Sequence, residues 1–544
     1  MKSFDLLVIG GGVNGTGIAR DAAMRGLSTC LVEKKDFAAG SSGANSGMIH
    51  GGARYLLFDA KVTRLSCLDS GYIQRIAPHL LFRIPFLIPV LPSGHELFDQ
   101  AYLYGVECYF EEYDRYQPLK NGKPHTRLSD QELHELEPGV VQGTVGAVSM
   151  DEYGIDPFRL CTLNARSAAE HGADVRTHTQ VTRLQRQDDI DSDSHYQYWR
   201  VGLEGPSGSE EARARVVFNA AGPWAPKIAA LGGAELKIRP GKGVHVTLDR
   251  RLSNYGIVCR AIDGRDVFVM PHEDSCIIGT TDDDFYGDPD ELSVSQDEVE
   301  YLLQAVERTF PSVRQARILR AWAGVRPTLW QYGPLEDRLS RDHKIYDHGG
   351  GFYSIVGGKL ASFRAMAEEA VDTVSRALSK GGRCETHKTP LPGGEAPAPA
   401  AEELSRQHDV PAFAAARIAY RHGAEAPRVL ALADERPELR ALCCPCEGVT
   451  FAELEFARTR EFAAGLLDLR RRCRLAMGVC QGARCIGPAA ALLEDLSQAR
   501  ELLDERWKGQ RPVLAGDGLA QAELLQSTYF GVGALQNEGT APWR

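Results

Sequence analysis

Six of the thirteen cysteines crowd into one short region between residues 443 and 485. Four of them have spacings that suit a shared metal, C-x-C followed by C-x-x-x-x-C: Cys444, Cys446, Cys480 and Cys485. Four thiolates bind either a tetrahedral zinc ion or a [2Fe–2S] cluster, and we favour the cluster because zinc sites more often use C-x-x-C pairs. Zinc and plain buried thiols stay open as alternatives. Cys443 and Cys473 are extra residues that we expect not to be ligands, although Cys443 competes with Cys444.

A second group of residues that could take part in chemistry lies between positions 37 and 56. It begins with small and polar residues, including Ser41 and Ser42, and ends in the run Ile-His-Gly-Gly-Ala-Arg-Tyr-Leu. Small residues let the backbone and hydroxyl groups pack against a flat ring or a phosphate, while His50 and Arg54 supply ionisable groups. A Ser/Gly linker is the plainer interpretation, but linkers are not expected directly behind a nucleotide-binding unit, which the preceding residues predict.

The element that would position these residues is the N-terminal strand and the turn after it. Leu6–Ile9 are apolar without alternation, as a parallel strand covered on both faces requires. The following G-x-G-x-x-G turn contains Gly10, Gly12 and Gly15. One glycine serves a tight turn, one lets the backbone approach a pyrophosphate, and one packs helix on strand. A second strand, Leu27–Val32, ends in Glu33, the acid expected to bind a ribose hydroxyl, so the whole unit predicts dinucleotide binding rather than a plain glycine-rich turn.

Two later segments supply further cofactor contacts. The buried run 215–219 leads into Ala-Ala-Gly, and because ligands of open α/β sheets bind at such strand ends, we select Ala221 and Gly222. Gly357-Gly358 and the helical stretch from Lys359 to Leu378 form another helix N-terminus able to face a cofactor. The cofactor-binding set predicted from these segments and the 37–56 run is Gly10, Gly12, Gly15, Glu33, Ser41, Ser42, His50, Gly51, Val181, Ala221, Gly222, Gly358, Lys359 and Leu360.

The middle of the chain predicts an inserted sheet. Three short strand-like runs with turn signals between them, at 241–246, 266–271 and 276–282, suggest antiparallel pairing. Segments 172–176 and 181–184 are predicted as a strand pair that returns to the first sheet. The predicted fold class is therefore α/β, with a Rossmann-like nucleotide-binding domain and an inserted antiparallel-sheet substrate domain.

Chain length, net charge and local changes in amino-acid composition limit the possible domain organisation and the class of protein. At 544 residues the chain is long enough for several domains, and its net charge of −11 argues against a nucleic-acid binder. Residues 386–401 are rich in proline and alanine and predict a semi-rigid linker between a first unit at 1–385 and a helical unit at 402–544.

We expect no export signal, since the first strand begins within five residues of Met1. Leu80–Pro92 is apolar but short, with three prolines and one arginine, and predicts a buried extended segment or an interfacial patch rather than a transmembrane helix.

These patterns together resemble FAD-dependent oxidoreductases of the amino-acid-oxidase type. More narrowly, the sequence resembles FAD-dependent glycerol-3-phosphate dehydrogenases in five motifs: Ile49–Leu56, Gly279–Asp282, Gly324–Pro327, Ser340–Asp342 and Gly357–Leu360. The resemblance covers most of residues 1 to 380. It implies oxidation of sn-glycerol 3-phosphate to dihydroxyacetone phosphate, with hydride transfer from C2 to the flavin.

The resemblance also implies roles for individual residues. Arg54, Arg326 and Lys359 would bind the phosphate, with help from Arg341, because guanidinium groups match phosphate oxygens. Tyr55 and Thr280 would orient substrate hydroxyls. His50 and His245 are the candidate bases, since a histidine titrates near neutrality. We favour His245 as the base, with His50 close to the flavin; a purely structural histidine is the alternative for each.

The C-terminal region resembles the small helical [2Fe–2S] domain related to bacterioferritin-associated ferredoxin, with the cysteines at about 440–495. That domain is joined to the flavoprotein in the large subunit of anaerobic-type glycerol-3-phosphate dehydrogenases. The resemblance implies an oligomer with iron–sulfur or membrane-anchoring partner subunits, a quinone acceptor, and a place on the cytoplasmic face of the inner membrane. Residues 78–89 look more like the aerobic single-subunit enzymes. Arg470–Arg472 predict either positive charge beside the cluster or a solvated helix face.

Two other functions compete with this hypothesis. One is an FAD dehydrogenase for another small hydroxy acid or a secondary amine, against which the phosphate-directed cations argue. The other is a non-catalytic redox-relay or assembly subunit, which would leave those cations unexplained.

Overall fold

The structure is a computed structural model that describes residues 1–57, 59–116, 120, 122–188, 197–333, 339–495 and 497–531. The strands in this part of the chain are β1 (Lys2–Ile9), β2 (Thr29–Val32), β3 (Leu81–Val90), β4 (Thr126–Leu128), β5 (Gly146–Ile155), β6 (Asp174–Arg176), β7 (Gln180–Asp188), β8 (Gln197–Gly205), β9 (Gly208–Asn219), β10 (Ile238–Leu248), β11 (Gly256–Arg260), β12 (Asp266–His272), β13 (Ser275–Gly279), β14 (Asp283–Asp284), β15 (Ile318–Leu329), β16 (His343–Asp347), β17 (Phe352–Gly357), β18 (Leu442–Cys444) and β19 (Val449–Thr450).

The α-helices in the same part of the chain are α1 (Val13–Met24), α2 (Ala60–Ile76), α3 (Glu96–Asp114), α4 (Asp130–Leu136), α5 (Pro157–Glu170), α6 (Ala225–Leu231), α7 (Gln296–Glu307), α8 (Phe363–Leu378), α9 (Ala401–His408), α10 (Ala412–His422), α11 (Ala426–Glu435), α12 (Phe451–Arg460), α13 (Leu466–Cys473), α14 (Ile486–Leu492), α15 (Gln498–Gln510) and α16 (Gly516–Gly531). Within these described residues, no helix combines the length and the apolar character needed to cross a membrane.

The first sheet carries the nucleotide-binding pattern, with the strand order β16-β17-β9-β1-β2-β6. β1 pairs in parallel with β2 and with β9, which places the carboxyl ends of these strands side by side. Leu6 and Val8 belong to a core with α1, α5 and α8, whereas Leu7 and Ile9 belong to a second core under β7 and β8. Burial on both faces explains why this strand is apolar without alternation, and the predicted strand–turn–helix unit is confirmed.

The second sheet contains the predicted antiparallel insertion, and it is antiparallel apart from the parallel pair of β3 and β11. Its order is β14-β10-β13-β12-β11-β3-β5-β4, with β15 also paired to β10. Pairing is antiparallel between β10 and β13, β12 and β13, and β10 and β15. The apolar segment 80–92 forms β3, which pairs with β5 along its whole length and is an extended segment as predicted. Segments 172–176 and 181–184 both join the first sheet, but β6 pairs with β2 and β7 with β8, so their predicted direct pairing is wrong.

The connection from the first unit to the C-terminal helices lies against the first unit. Residues 379–400, all of them described, contain no helix or strand. Leu391 is nevertheless fully buried in the core of the first sheet, and its N–H donates to the Ile76 carbonyl at 2.8 Å. The Arg20 guanidinium donates to the Thr389 carbonyl at 2.6 Å. The segment is therefore packed along its path, and the domain boundaries at 386–401 stay a prediction.

The C-terminal helices dock onto the first unit through buried ion pairs. Arg159 of α5 pairs with Glu461 at 2.6 Å, and both side chains are fully buried. Arg166 of the same helix pairs with Glu425 at 2.6 Å. Such pairs are retained only when geometry and charge balance are good, because each charge has lost its hydration.

The three consecutive arginines of α13 belong to this interface. Arg470 and Arg472 are buried rather than solvated. Arg472 forms a bidentate ion pair with Asp36 of the first unit, with N–O distances of 2.6 and 2.9 Å. The predicted exposed helix face is therefore wrong for Arg472, while the placement of positive charge beside the cysteine cluster stays a prediction. The partner of Arg472 lies 436 residues away in the sequence, so spacing along the chain does not reveal it.

Candidate active site

A cavity of about 1380 Å³ lies between the two sheets and collects most of the predicted site residues. Those that line it are Gly10, Gly12, Glu33, Ser41, Ser42, His50, Tyr55, Val181, Ala221, Gly222, His245, Thr280, Arg326, Arg341, Gly358, Lys359 and Leu360. Gly15 and Gly51 pack behind its wall, and the side chain of Arg54 lies outside the described part of the structure. One space is thus shared by the residues assigned to cofactor and to substrate.

The glycine turn forms a tight cradle at one end of the cavity. Gly10 has a φ of +116°, and a Cβ at this position would lie 2.6 Å from the Ala220 carbonyl oxygen. A Cβ on Gly15 would lie 1.8 Å from the Gly10 carbonyl oxygen, so only glycine lets α1 pack this closely on β1. The first turn of α1 faces the cavity, with the Val13 N–H donating to Ser42 Oγ at 2.9 Å. A helix N-terminus in a side-chain-free cradle fits a pyrophosphate.

Glu33 follows β2 and lies next to this turn. Its carboxylate accepts from the backbone N–H of Gly11 at 2.6 Å and of Lys35 at 2.8 Å. Burial raises the pKa of Glu33, and these two N–H groups act in the opposite direction. A carboxylate held at the end of the second parallel strand is placed to accept hydrogen bonds from a ribose.

The loop that carries His50 is held by side chains along its length. Ser70 Oγ donates to the Ile49 carbonyl at 2.8 Å, and Thr63 Oγ1 donates to the Gly52 carbonyl at 3.1 Å. Gly51 packs directly on a buried group, since a Cβ there would lie 2.2 Å from the Tyr113 hydroxyl. The loop geometry is therefore set before any ligand binds, and Gly51 acts through this packing rather than by lining the cavity.

A buried polar cluster lies behind this loop and was not predicted. Glu152 lines the cavity and accepts a hydrogen bond from the Tyr113 hydroxyl at 2.7 Å. It also forms an ion pair with the fully buried Lys120 at 2.9 Å. The three residues come from separate parts of the chain, and their spacing in sequence carries no signal.

Lys359 reaches the same loop from the other side of the cavity. Its Nζ donates to the His50 carbonyl at 3.4 Å and lies 4.9 Å from the centre of the Tyr55 ring. Gly357 and Gly358 precede it with φ values of +85° and +86°, a conformation that favours glycine. The Gly-Gly-Lys turn thus brings a cation, an aromatic ring and His50 together.

Two arginines that line the cavity bind the same carboxylate. Arg326 donates to Asp282 at 3.0 Å and to Thr280 Oγ1 at 3.0 Å. Arg341 donates to the other oxygen of Asp282 at 2.6 Å. Asp282 therefore sets the spacing of both cations, and it was not among the predicted site residues. The sequence feature that could have identified Asp282 is its position at the end of the Gly-Thr-Thr-Asp motif.

His245 lies on β10 and lines the same cavity. Its ring stacks on Trp322 with centres 5.3 Å apart, and its Nε2 is 3.0 Å from Ser46 Oγ. A Cβ on Gly279 would lie 2.2 Å from the ring, so glycine makes room for it. Burial, and then the positive charge of Arg326, lower the pKa of His245 to about 3. The imidazole is therefore neutral at working pH and has an unprotonated ring nitrogen, and its lowered pKa makes it a weaker base than a free histidine.

The predicted cysteine ligands lie outside this cavity, in the C-terminal region. Hydrogen bonding with Cys485, opposed by burial, lowers the pKa of Cys444 to about 7. Burial and hydrogen bonding with Cys480 raise the pKa of Cys446 to about 11. Hydrogen bonding thus joins Cys444 to Cys485 and Cys446 to Cys480, and the thiols of the two pairs also affect each other through their charges. Among the described residues, however, no set of three or more His, Cys, Asp or Glu side chains has the geometry of a metal site.

The two extra cysteines have other partners. Cys443 is buried and its Sγ donates to the Cys485 carbonyl at 3.7 Å. Cys473 is fully buried at the end of α13, with its Sγ 4.0 Å from the Glu453 carbonyl. These contacts are those of packed thiols.

Comparisons with known proteins agree with this geometry. A model of the FAD dependent oxidoreductase family matches residues 5–364, and a model described as the C-terminal domain of alpha-glycerophosphate oxidase matches residues 384–500. The chain is similar to one subunit of the anaerobic glycerol-3-phosphate dehydrogenase of Escherichia coli (strain K12), with 35% identity covering 99% of this chain and 98% of that protein.

The chain is also similar to a second named relative and to a solved structure. The chain is 32% identical to the D-erythritol 1-phosphate dehydrogenase of Brucella abortus (strain 2308), over 72% of this chain and 78% of that protein. Its fold is similar to the crystal structure of the glycerol-3-phosphate dehydrogenase from Bacillus halodurans complexed with FAD, with a TM-score of 0.72, 24% identity, and coverage of 95% and 97%.

Proposed function

This chain belongs to the FAD-dependent oxidoreductase family, and within that family we propose that it oxidises sn-glycerol 3-phosphate to dihydroxyacetone phosphate. The observation that carries the proposal is the pair Arg326 and Arg341, held on Asp282 in the wall of the cavity that also contains the glycine turn. Two guanidinium groups at a fixed spacing match a phosphate dianion. The full-length similarity to a glycerol-3-phosphate dehydrogenase subunit supports the same substrate.

The residues of the cavity fit FAD. The glycine turn and the first turn of α1 would hold the pyrophosphate, Glu33 would bind the ribose, and the Gly358-Lys359 turn would lie against the flavin. Bound FAD supplies the acceptor for the hydride that leaves C2 of the substrate. The neighbouring loop, with His50 and Tyr55, fixes the substrate side of that space.

His245 is the proposed base. Oxidation of the C2 hydroxyl breaks its O–H bond and its C2–H bond and forms a C=O bond, so one proton must be accepted by the protein. His245 is neutral because its pKa is lowered to about 3, and its ring lies in the cavity wall beside Arg326 and Ser46. His50 is the second candidate, and its loop lies against Lys359.

The electrons would leave through the C-terminal region. Cys444, Cys446, Cys480 and Cys485 would hold a [2Fe–2S] cluster, which supplies a one-electron carrier when bound. The pairwise contacts of these thiols support the assignment. The relative from Escherichia coli is named as one subunit of its enzyme, which supports an assembly with further subunits. A quinone acceptor and a place on the cytoplasmic face of the inner membrane are what the family resemblance implies.

Anaerobic bleaching of the flavin tests the proposal. Mixing the FAD-loaded protein with glycerol 3-phosphate should remove the visible flavin absorbance, and the same concentration of glycerol should not, because the arginine pair has no phosphate to bind. D-erythritol 1-phosphate, lactate and sarcosine extend the panel to a longer phosphorylated polyol, a hydroxy acid and a secondary amine. Faster bleaching by any of these three would overturn the substrate assignment. No bleaching by any compound would indicate a non-catalytic subunit.

A further inference from the structure

The wall of the cavity next to Glu33 consists of two chain segments. One is 33–35, which follows β2, and the other is 179–182, where β7 begins; both line the cavity. They are tied to each other by the Thr179 N–H, which donates to the Glu33 carbonyl at 2.8 Å, and by the His178 N–H, which donates to the Lys35 carbonyl at 2.7 Å. The position of Glu33 therefore depends on both segments.

Each segment is also held by a side chain of α13, a helix of the C-terminal region. The terminal nitrogens of Arg472 donate to the two carboxylate oxygens of Asp36 at 2.6 and 2.9 Å, and its Nε donates to the Glu461 carbonyl at 2.8 Å. Asp468 accepts a hydrogen bond from His178 at 2.9 Å and also receives the Gly465 N–H. The α13 helix thus contacts the two segments from outside, one turn apart.

The ion pair between Asp36 and Arg472 is fully buried, whereas the His178 side chain, which contacts Asp468, is 37% exposed. The side chains of Asp36 and Arg472 have no exposed surface, and Asp468 is almost fully buried. Burial alone would raise the pKa of Asp36, but the charges and hydrogen bonds of Arg472 and Arg471 lower it below its ordinary value. A carboxylate without exposure needs a cation, so the position of Asp36 depends on Arg472 and also on Arg471, which donates to the same carboxylate at 3.2 Å.

We infer that α13 belongs to the FAD-binding apparatus, with Arg472 and Asp468 as positioning residues, so that FAD binding and docking of the cysteine-bearing region stabilise one another. Arg472 acts through Asp36 on the segment 33–35, and Asp468 acts through His178 on the segment that begins β7. Coupling between two binding equilibria is reciprocal. A change that weakens the packing of the C-terminal region on the first unit should therefore weaken FAD binding, and bound FAD should stabilise that packing by the same factor. The same helix ends at Cys473 and leads directly to the loop that contains Cys480.

The test measures FAD affinity and docking separately on the full chain. Arg472→Met keeps an unbranched side chain and removes the guanidinium that binds Asp36, and we expect it to weaken FAD binding by about tenfold or more, followed through the recovery of FAD fluorescence on release. Arg406→Met removes an exposed arginine of α9 and should leave FAD affinity within about twofold. Asp36→Asn should weaken binding as Arg472→Met does, and the double variant should lose no more than the worse single variant, because the two residues act as one pair.

A mutation-free measurement covers the case in which the variants fail to fold. Hydrogen exchange of the α13 amides in the wild-type chain should slow when FAD is added and should respond less in Arg472→Met. FAD affinity unchanged within about twofold in Arg472→Met overturns the inference, as does α13 exchange that is indifferent to FAD in the wild type. Neither readout depends on the substrate or on a cluster, so failure of the glycerol 3-phosphate proposal would leave this test unaffected.

Discussion

The two proposed redox sites of this chain differ in which atoms form them: mainly backbone at the FAD cavity and side chains at the cysteine site. The FAD cavity is shaped by backbone: a positive-φ glycine at position 10, the N-terminus of α1, and the adjacent carboxyl ends of β1, β2 and β9. The cysteine site consists of side chains on loops and on a short hairpin, and its thiols contact one another as two pairs. Backbone geometry forms a ligand-shaped space through folding alone, whereas a thiolate site is completed by the metal that it binds.

The same contrast applies to how each site is held. In the cavity, Asp282 fixes two arginines and side chains hold the carbonyls of the His50 loop, so charged groups have their positions before substrate arrives. Preorganised charge is the condition for large effects on rate. Substitutions in the cavity should therefore reduce substrate oxidation strongly, and substitutions at the cysteines should affect only the steps after it.

The largest expected effect comes from Arg326→Ala. Removing a guanidinium from the proposed phosphate site should lower kcat/KM for glycerol 3-phosphate about a thousandfold, roughly 4 kcal/mol, because Asp282 and the phosphate would then face each other with one cation fewer. Steady-state reduction of an artificial dye measures it. Arg317→Ala removes an exposed arginine just before the same strand and is the matched control. Kinetics within threefold of wild type would remove Arg326 from the phosphate site.

A smaller loss is expected for His245→Asn, which keeps a polar side chain of similar size but removes the base. We expect kcat to fall by about a hundredfold, the lower end of the usual contribution of a general base. Single-turnover flavin bleaching isolates this step. A full rate in His245→Asn, with a large loss in His50→Asn, would move the role of base to His50.

The pH dependence of stability gives a second measurement on the same variant. The folded chain does not protonate His245 until about pH 3, whereas an unfolded histidine takes up a proton near pH 6.5, so its contribution to stability is full above pH 6.5 and declines as the pH falls. The melting temperature of His245→Asn should therefore fall less than that of the wild type between about pH 7 and about pH 5. Parallel profiles would show that His245 is not buried in its neutral form.

The smallest effect on substrate oxidation is expected for Cys480→Ser. Dye reduction by glycerol 3-phosphate should stay within about twofold of wild type, since the cavity is untouched, while the iron–sulfur EPR signal should disappear. Cys443→Ser is the control at a neighbouring buried cysteine and should keep the signal. A signal that survives in Cys480→Ser would reject the ligand assignment, and loss in both variants would show that the region depends on every thiol for folding.

Much of the nucleotide-binding unit was predictable because its pattern is local. Leu6–Ile9, the glycine turn and Glu33 follow one another along the chain, and each residue type answers a requirement of its own backbone position. The antiparallel insertion was predictable for the same reason, since each strand carries its own signal. The pairing partners of β6 and β7 were not, because register between distant strands depends on the assembled sheet.

The residues that were missed share a different property. Asp282, Ser46, Glu152 and Asp36 act through partners that lie far away in sequence, so spacing along the chain gives no measure of the distance between them. Arg472 shows the limit most clearly, because an arginine run in a helix is equally compatible with solvent, with an anionic ligand and with a buried carboxylate.

The strand–turn–helix unit, the acid that follows β2, the inserted sheet and the inventory of histidines, cations and cysteines could be predicted from the amino-acid sequence, because they follow from local backbone requirements and side-chain chemistry. The folded chain was needed to reveal that Asp282 sets the spacing of Arg326 and Arg341, that His245 is buried and neutral, and that Arg472 of the C-terminal region holds Asp36. Burial and charge pairing depend on how surfaces meet, and those surfaces exist only after the chain has folded.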